Sequence, residues 1–441
     1  MLSSRLPFNR PPFLGAGRSQ PVMAFDFAQS PGLVAGRGGQ TITFTRASDG
    51  TRFNSSGTLV TETTNVARFD YNPSTLVALG LLIEESRTNL CLQSNAFTTT
   101  WTALGTPAAT QNVVGPDGGT TAWTMTDNAA GTTEGVSQNI TLTAAAYTFS
   151  IYIKKTSGAT IYPVLEALTG TVTANCTVDT NNGIATIWTA YTGRTMLASA
   201  SATCSNAGSF WRVTMTYTAT AAAYTHSIFT AATATATQAT GAVDVAQQGS
   251  NVFYGAQVEL GAFATSYIAT TTIAVNRAVD VATINTITPW YNQAEGTLFA
   301  EADVFATTTD ATTRAVFGFG DPAIAFGSAE AFYLSRDVSS ALLFENMLDG
   351  GVNQGSTSGG NATANVMFKI AMVYKLNDIA ITVNGAVPAT DLTATIPTVT
   401  TASIGSAAGL WVGGGNHLNG HIKRLNYYNR SLKTQLQQLT A

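Results

Sequence analysis

The sequence predicts an all-β chain of two β-sandwich (jelly-roll) domains in tandem, preceded by an extended N-terminal arm. Three observations carry that reading. Apolar and polar residues alternate with a period of two, as in Y-T-F-S-I-Y-I-K at 147–154 and F-W-R-V-T-M-T-Y at 210–217, which gives a strand one apolar face. Turn-forming runs such as Pro116-Asp117-Gly118, Asn181-Asn182-Gly183 and Ser205-Asn206-Ala207-Gly208 separate such stretches. Helical periodicity is nearly missing until 432–439, which reads as a helical turn or two.

Residues 1–30 are punctuated by Pro, Gly, Arg5, Arg10 and Arg18 and keep neither period. They read as an extended attachment arm that orders only against a partner. Residues 31–95 hold short β pieces at 40–46, 58–61 and 77–84 and read as a small β adaptor. The first sandwich covers 96–275, with a further strand at 249–259, and 276–289 is a linker ending in Pro289. The second sandwich covers 290–432, with strands at 296–305, 314–319, 329–334, 368–375, 378–383, 410–414 and 420–428, followed by a tail at 433–441. With its own set of alternating strands, 290–432 is expected to fold alone.

Composition narrows the function classes. Hydrophobic residues make up 45% of the 441, too many for a disordered chain. Only 10% are charged, against about 25% in ordinary soluble domains. The net charge of −4 offers no basic face for nucleic acid. Threonine supplies much of the polarity: it is β-branched, suits a pleated surface and keeps that surface wet without charge. The longest apolar run, 76–83, falls far short of the roughly 20 residues that cross a bilayer, so no membrane insertion is expected. The N-terminus lacks the apolar stretch of an export signal. Cys91, Cys176 and Cys204 read as free thiols, with a Cys176–Cys204 pair left open.

Charged residues are dense in one place. Arg68, Asp70, Glu84 and Arg87 lie within about 20 residues and read as a structural ion cluster clamping the arm onto the first sandwich. Glu84 and Glu85 are adjacent and face opposite sides of a strand, so they are not a pair for acid–base work. His417 and His421 stand four apart beside Gly413–Gly415, a spacing that bridges a metal on a helix but not on a glycine-rich loop. Asp321, Asp349, Asn377 and Asp378 are loop oxygens of the kind that hold calcium, though no spacing singles them out, and no cofactor is expected. Neither a GxSxG elbow nor a GxxxxGK[ST] phosphate cradle is present.

Two segments carry a resemblance. The first runs T-F-T-R-A-S from Thr43, through N-V-A-R-F-D-Y and L-G-L-L-I-E-E-S-R-T-N-L, to Trp101. It includes Phe44, Arg46, Arg68, Asp70, Gly80, Glu84, Arg87 and Asn89. The second is Y-G-A-Q-V-E-L-G-A-F-A-T-S-Y-I-A-T from Tyr254, followed by Asn276, Arg277 and Asp280. Together they resemble tailed-phage structural proteins (tail fibres, minor tail proteins and capsid fibres) whose sandwich is similar to carbohydrate-binding jelly rolls. The C-terminal part, with G-T-L-F at 296–299, Asn384-Gly385 and G-H-I-K-R-L at 420–425, resembles laminin-G/concanavalin-like lectin sandwiches.

The resemblance implies a virion protein made in the host cytoplasm and joined to other capsid or tail proteins by its arm. It implies binding to host-surface glycan through the distal sandwich, in several copies with a trimer favoured. A purely structural decoration protein is the alternative. A glycan-degrading tailspike is disfavoured: Glu301 and Asp303 resemble the start of a glucanase Glu-x-Asp stretch, but Phe305 and Ala306 stand where its closing acid is needed. Sugars stack on aromatic faces and hydrogen-bond neutral side chains. The glycan-binding candidates are therefore Trp411, Asn416 and His417 at a flexible glycine loop, with Trp290 and Tyr291. Trp123 and Trp211 read as core of the first sandwich.

Overall fold

The computed structural model describes residues 19–305, 313–337, 340–355 and 357–441. Most of its strands form two sandwiches, antiparallel apart from one short parallel pairing of Val172–Asp179 with Thr195–Met196, so the all-β tandem architecture holds.

The first sandwich is made of consecutive chain. One sheet runs Ser201–Ala207, Phe210–Ala219, Ala145–Lys154, Gly249–Leu260, Ala122–Asp127, Ala108–Val113. The facing sheet is centred on Tyr162–Thr169 and Ala222–Thr233. Alternation sends Phe149, Ile151, Val213, Met215 and Tyr217 inward, against Leu165, Cys176, Val178 and Ile228. Trp123 and Trp211 pack against this core, as the alternation predicts. All three cysteines are free thiols.

The second sandwich is assembled from distant pieces. One sheet runs Ala389–Asp391, Ile379–Val383, Phe368–Lys375, Glu295–Ala302, Gly420–Tyr428, Ala78–Ile83, Phe69–Tyr71, with Met23–Asp26 also paired to Gly420–Tyr428. The other begins Thr43–Thr45, Val281–Ile284, Thr401–Ile404, Arg314–Gly320, Ala331–Arg336.

Three expected boundaries therefore move. The adaptor at 31–95 and the linker at 276–289 contribute strands to the second sandwich. Residues 1–18 of the arm lie outside the described residues, but 23–26 form a strand whose Met23 and Phe25, with the following Phe27, are buried in that sandwich's core. The core also takes in Phe44, Leu81, Ile83, Ala282 and Ile284, so 290–432 is not a self-contained unit. The physical reason is simple: without these strands Gly420–Tyr428 loses partners on one side and the core loses one flank.

The chain leaves for the first sandwich and returns from it through a two-stranded ladder, Arg87–Asn89 against Val275–Arg277. The strand expected at 410–414 is a turn, with Gly413 at φ +73° and only a single bridge, from Val412 to Ala325. The tail is helical at Leu436–Thr440.

Candidate functional site

Five fully buried charges lie where the two sandwiches meet. Arg46 follows Thr43–Thr45, Arg68 precedes Phe69–Tyr71, Glu84 follows Ala78–Ile83, Arg277 ends the two-stranded ladder that forms the neck between the sandwiches, and Asp280 precedes Val281–Ile284. Arg68 reaches Glu84 at 2.7 Å and Asp280 at 2.5 Å; Arg46 reaches Asp280 at 3.3 Å and Arg277 reaches Glu84 at 3.4 Å. The Glu84 carboxylate also accepts bonds from the Ser266 amide and hydroxyl, both 2.7 Å, and Ser266 belongs to the closing segment of the first sandwich. Burial disfavours a charge on Glu84, but Arg277 and Arg68 outweigh it and hold the carboxyl well below its usual range. The cluster is therefore ionic and ties the sandwiches together.

Of the four residues expected in this cluster, Arg68 and Glu84 belong to it and two do not. Asp70 leaves the cluster: its Oδ1 accepts the Phe53 amide at 2.7 Å and its Oδ2 faces His421 Nε2 at 3.1 Å. Arg87 points to the opposite side, pairing with Glu85 at 2.5 Å and lying 4.8 Å from the Phe263 ring centre. It passes so close to Gly261, at φ +133°, that a Cβ there would sit 1.5 Å from its Nη1. Arg46, Arg277 and Asp280 take the vacant roles; the sequence shows them as positions of the resembling segments but not as charge partners.

His421 forms a second junction. Its Nδ1 lies 3.1 Å from both Asp303 oxygens and its amide donates to Asp303 at 2.7 Å. Burial opposes its charge, but Asp303 and Asp70 outweigh that and raise its pKa to about 10. Glu301 pairs with Lys423 at 2.9 Å and Arg424 at 3.4 Å. Both acids of the Glu-x-Asp stretch thus serve ion pairs.

Above these clamps lies a groove of about 480 Å³. Because residues 149, 151, 213 and 215 point inward, the alternate positions, Tyr152, Arg212, Thr214 and Thr216, form its floor with Thr203. Their hydroxyls are cross-linked, Thr148 to Thr216 at 2.9 Å and Thr203 to Thr214 at 2.6 Å. Tyr71, Asn72 and Pro73 wall one side; Phe263, Phe305 and His421 also line it. Arg212 stacks over Tyr152 at 5.2 Å and donates Nη2 to Ser150 Oγ at 3.2 Å, while its Nε is buried without an acceptor. Sequence reasoning missed this site, although a lone arginine among threonines on the polar side of a strand was its signal.

The expected glycan residues are not brought together here. Trp411 is 6% exposed, its ring wedged 5.2 Å from Phe326 and 5.6 Å from Tyr333, so it is core rather than a stacking platform. Trp290 and Tyr291 pack on the second core around Tyr427, at 5.4 and 5.9 Å, leaving Trp290 at the edge of a shallow hollow with Thr286 and Thr288. Asn416 takes a left-handed turn at φ +56°, and the neighbouring His417 accepts the Arg314 guanidinium on its carbonyl. Burial lowers the His417 pKa to about 4. Among the calcium candidates, Asp321 caps Ala323, Asp349 meets Thr395 and Asp378 meets Lys433. Among the described residues no group of three or more His, Cys, Asp or Glu is arranged to hold a metal.

No protein-family model and no curated protein matches the chain. Solved structures similar to it include the CBM40 module of a Ruminococcus gnavus IT-sialidase bound to α2,3-sialyllactose, at 14% identity and TM-score 0.27, covering 34% of this chain and 84% of that one. Mouse laminin α1 domains LG4-5 share 9% identity at TM-score 0.24, covering 79% and 92%. Trypanosoma rangeli sialidase in complex with sialic acid shares 10% at TM-score 0.27, covering 76% and 61%. At these scores the likenesses leave the function to the chain's own geometry.

Proposed function

We propose that this chain is a non-catalytic structural protein of a tailed-phage particle, a tail or capsid fibre, that binds host-surface saccharide in the groove between its sandwiches. The groove carries the reading: a floor of neutral hydroxyls beside tyrosine and phenylalanine rings is the chemistry sugars require, and its volume lies within the range of ligand sites, about 300–1,000 Å³. The resemblance supports the particle role, because its charged positions build the buried clamp rather than a reacting centre. Attachment falls to residues 1–18, ahead of the first strand, and several copies, a trimer favoured, would raise weak single-site binding by avidity.

The test is twofold. Deleting residues 1–18 is expected to leave a folded protein that no longer joins particles. The full chain is expected to bind host-cell surfaces, and Thr214→Tyr, which fills the groove, is expected to abolish that binding without unfolding the protein. Binding that survives Thr214→Tyr rejects the groove, and a chain that joins particles but binds no host surface is a decoration protein without a receptor.

A further inference from the structure

We infer that the groove is built for a carboxylated saccharide, with Arg212 as the anchor for its carboxylate; this rests on the saccharide reading above. The argument starts from charge. Three cationic side chains line the groove: Arg52, Arg212 and His421. Arg52 has its own carboxylate, Glu62, at 2.5 Å, and His421 has two, Asp70 and Asp303. Arg212 is left over. Among the described residues no carboxylate lies within ion-pair distance of it, and neither acid lining the groove is free, since Asp70 is held by Phe53 and His421 and Glu84 by Arg68 and Ser266.

The geometry adds a second observation. The guanidinium is held over Tyr152 and fixed by Ser150, and its Nε is buried without an acceptor. A fixed planar fork suits a carboxylate, which it can grip with two parallel bonds. The hydroxyls of Thr203, Thr214 and Thr216 continue the floor away from Arg212. A ligand that meets both features carries its acid at one end and a run of hydroxyls along its body.

The test is calorimetric titration of the full chain with trigalacturonate and a hyaluronan tetrasaccharide, each beside its methyl ester, with acetate as competitor. The wild-type protein is expected to bind an acid form about tenfold more tightly than its ester, the effect of one charge-assisted contact. Arg212→Gln should erase that preference with an unchanged melting temperature, and Arg212→Lys should keep part of it. Equal binding of acid and ester, or a preference that survives Arg212→Gln, overturns the anchor while leaving the saccharide reading standing. If no oligosaccharide binds in either form, both readings fall. Displacement by millimolar acetate would mean that a simple anion suffices, and would overturn the saccharide part of the inference.

Discussion

The two sandwiches reach similar cores from opposite kinds of chain. The first draws its sheets from one continuous stretch, and the neck ladder is where that stretch begins and ends. The second gathers Met23–Asp26, Thr43–Thr45, Ala78–Ile83 and Val281–Ile284 around strands that come much later in the sequence. Completeness of a strand set within one stretch is therefore a poor guide to independence. What decides it is whether every sheet edge and core flank is supplied locally.

The sharpest way to break this comparison is dissection. Residues 87–277 alone are expected to unfold cooperatively by circular dichroism. Residues 290–432 alone should show no cooperative transition, because that fragment lacks the buried side chains of Phe25, Leu81 and Ile83. A folded 290–432 fragment would show that the early strands decorate the second sandwich rather than complete it.

Single substitutions come next. Trp411→Ala should cost about 3–5 kcal/mol, as truncations of buried tryptophan do, and leave saccharide binding intact; unchanged stability in thermal melts would return Trp411 to the surface. Glu84→Gln should cost a similar amount, about 3–5 kcal/mol, since it strands buried guanidinium groups without their counter-charge. Chemical denaturation would then show the second sandwich unfolding before the first.

The sandwiches should also differ in their response to pH. His421, in the second, has its pKa raised to about 10, so its contribution is full below about pH 6.5 and is lost as pH rises toward 10. Glu345, pushed up to about 7 by burial, adds to that loss between about pH 4.5 and 7. In the first sandwich burial lowers the His226 pKa to about 3, so stability there is lost as pH falls from about 6.5 toward 3. His417 adds an acid-side loss to the second sandwich, with its pKa near 4. His421→Gln should flatten the alkaline limb alone, as read from melting temperatures across pH. The smallest effect belongs to Arg212→Gln, which should change stability by less than about 1 kcal/mol because the side chain lies on the groove floor outside either core.

Much of this was legible in the sequence wherever the signal was local. Phe210–Ala219, Ala145–Lys154, Phe368–Lys375 and Gly420–Tyr428 were visible because a period of two writes the buried face directly into the chain. The partners of those strands were not visible. Nothing near Met23 marks its pairing with Tyr427, and Arg46 and Asp280 meet across 234 positions. Trp411 failed for a related reason: its glycine-rich flank suggests exposure, yet Tyr333 and Leu348 reach it from strands far away in the sequence. The groove failed differently, since its floor is the polar half of strands whose apolar half carries the recognisable pattern.

The neck has a consequence for how such proteins diversify. Asn89 and Val275 are paired neighbours on adjacent strands, so the whole first sandwich hangs from two chain ends about 5 Å apart. Any module whose termini emerge side by side satisfies the same opening. A lineage, or an engineer, can therefore exchange the first sandwich as a cassette while the strands of the second keep their own pairing.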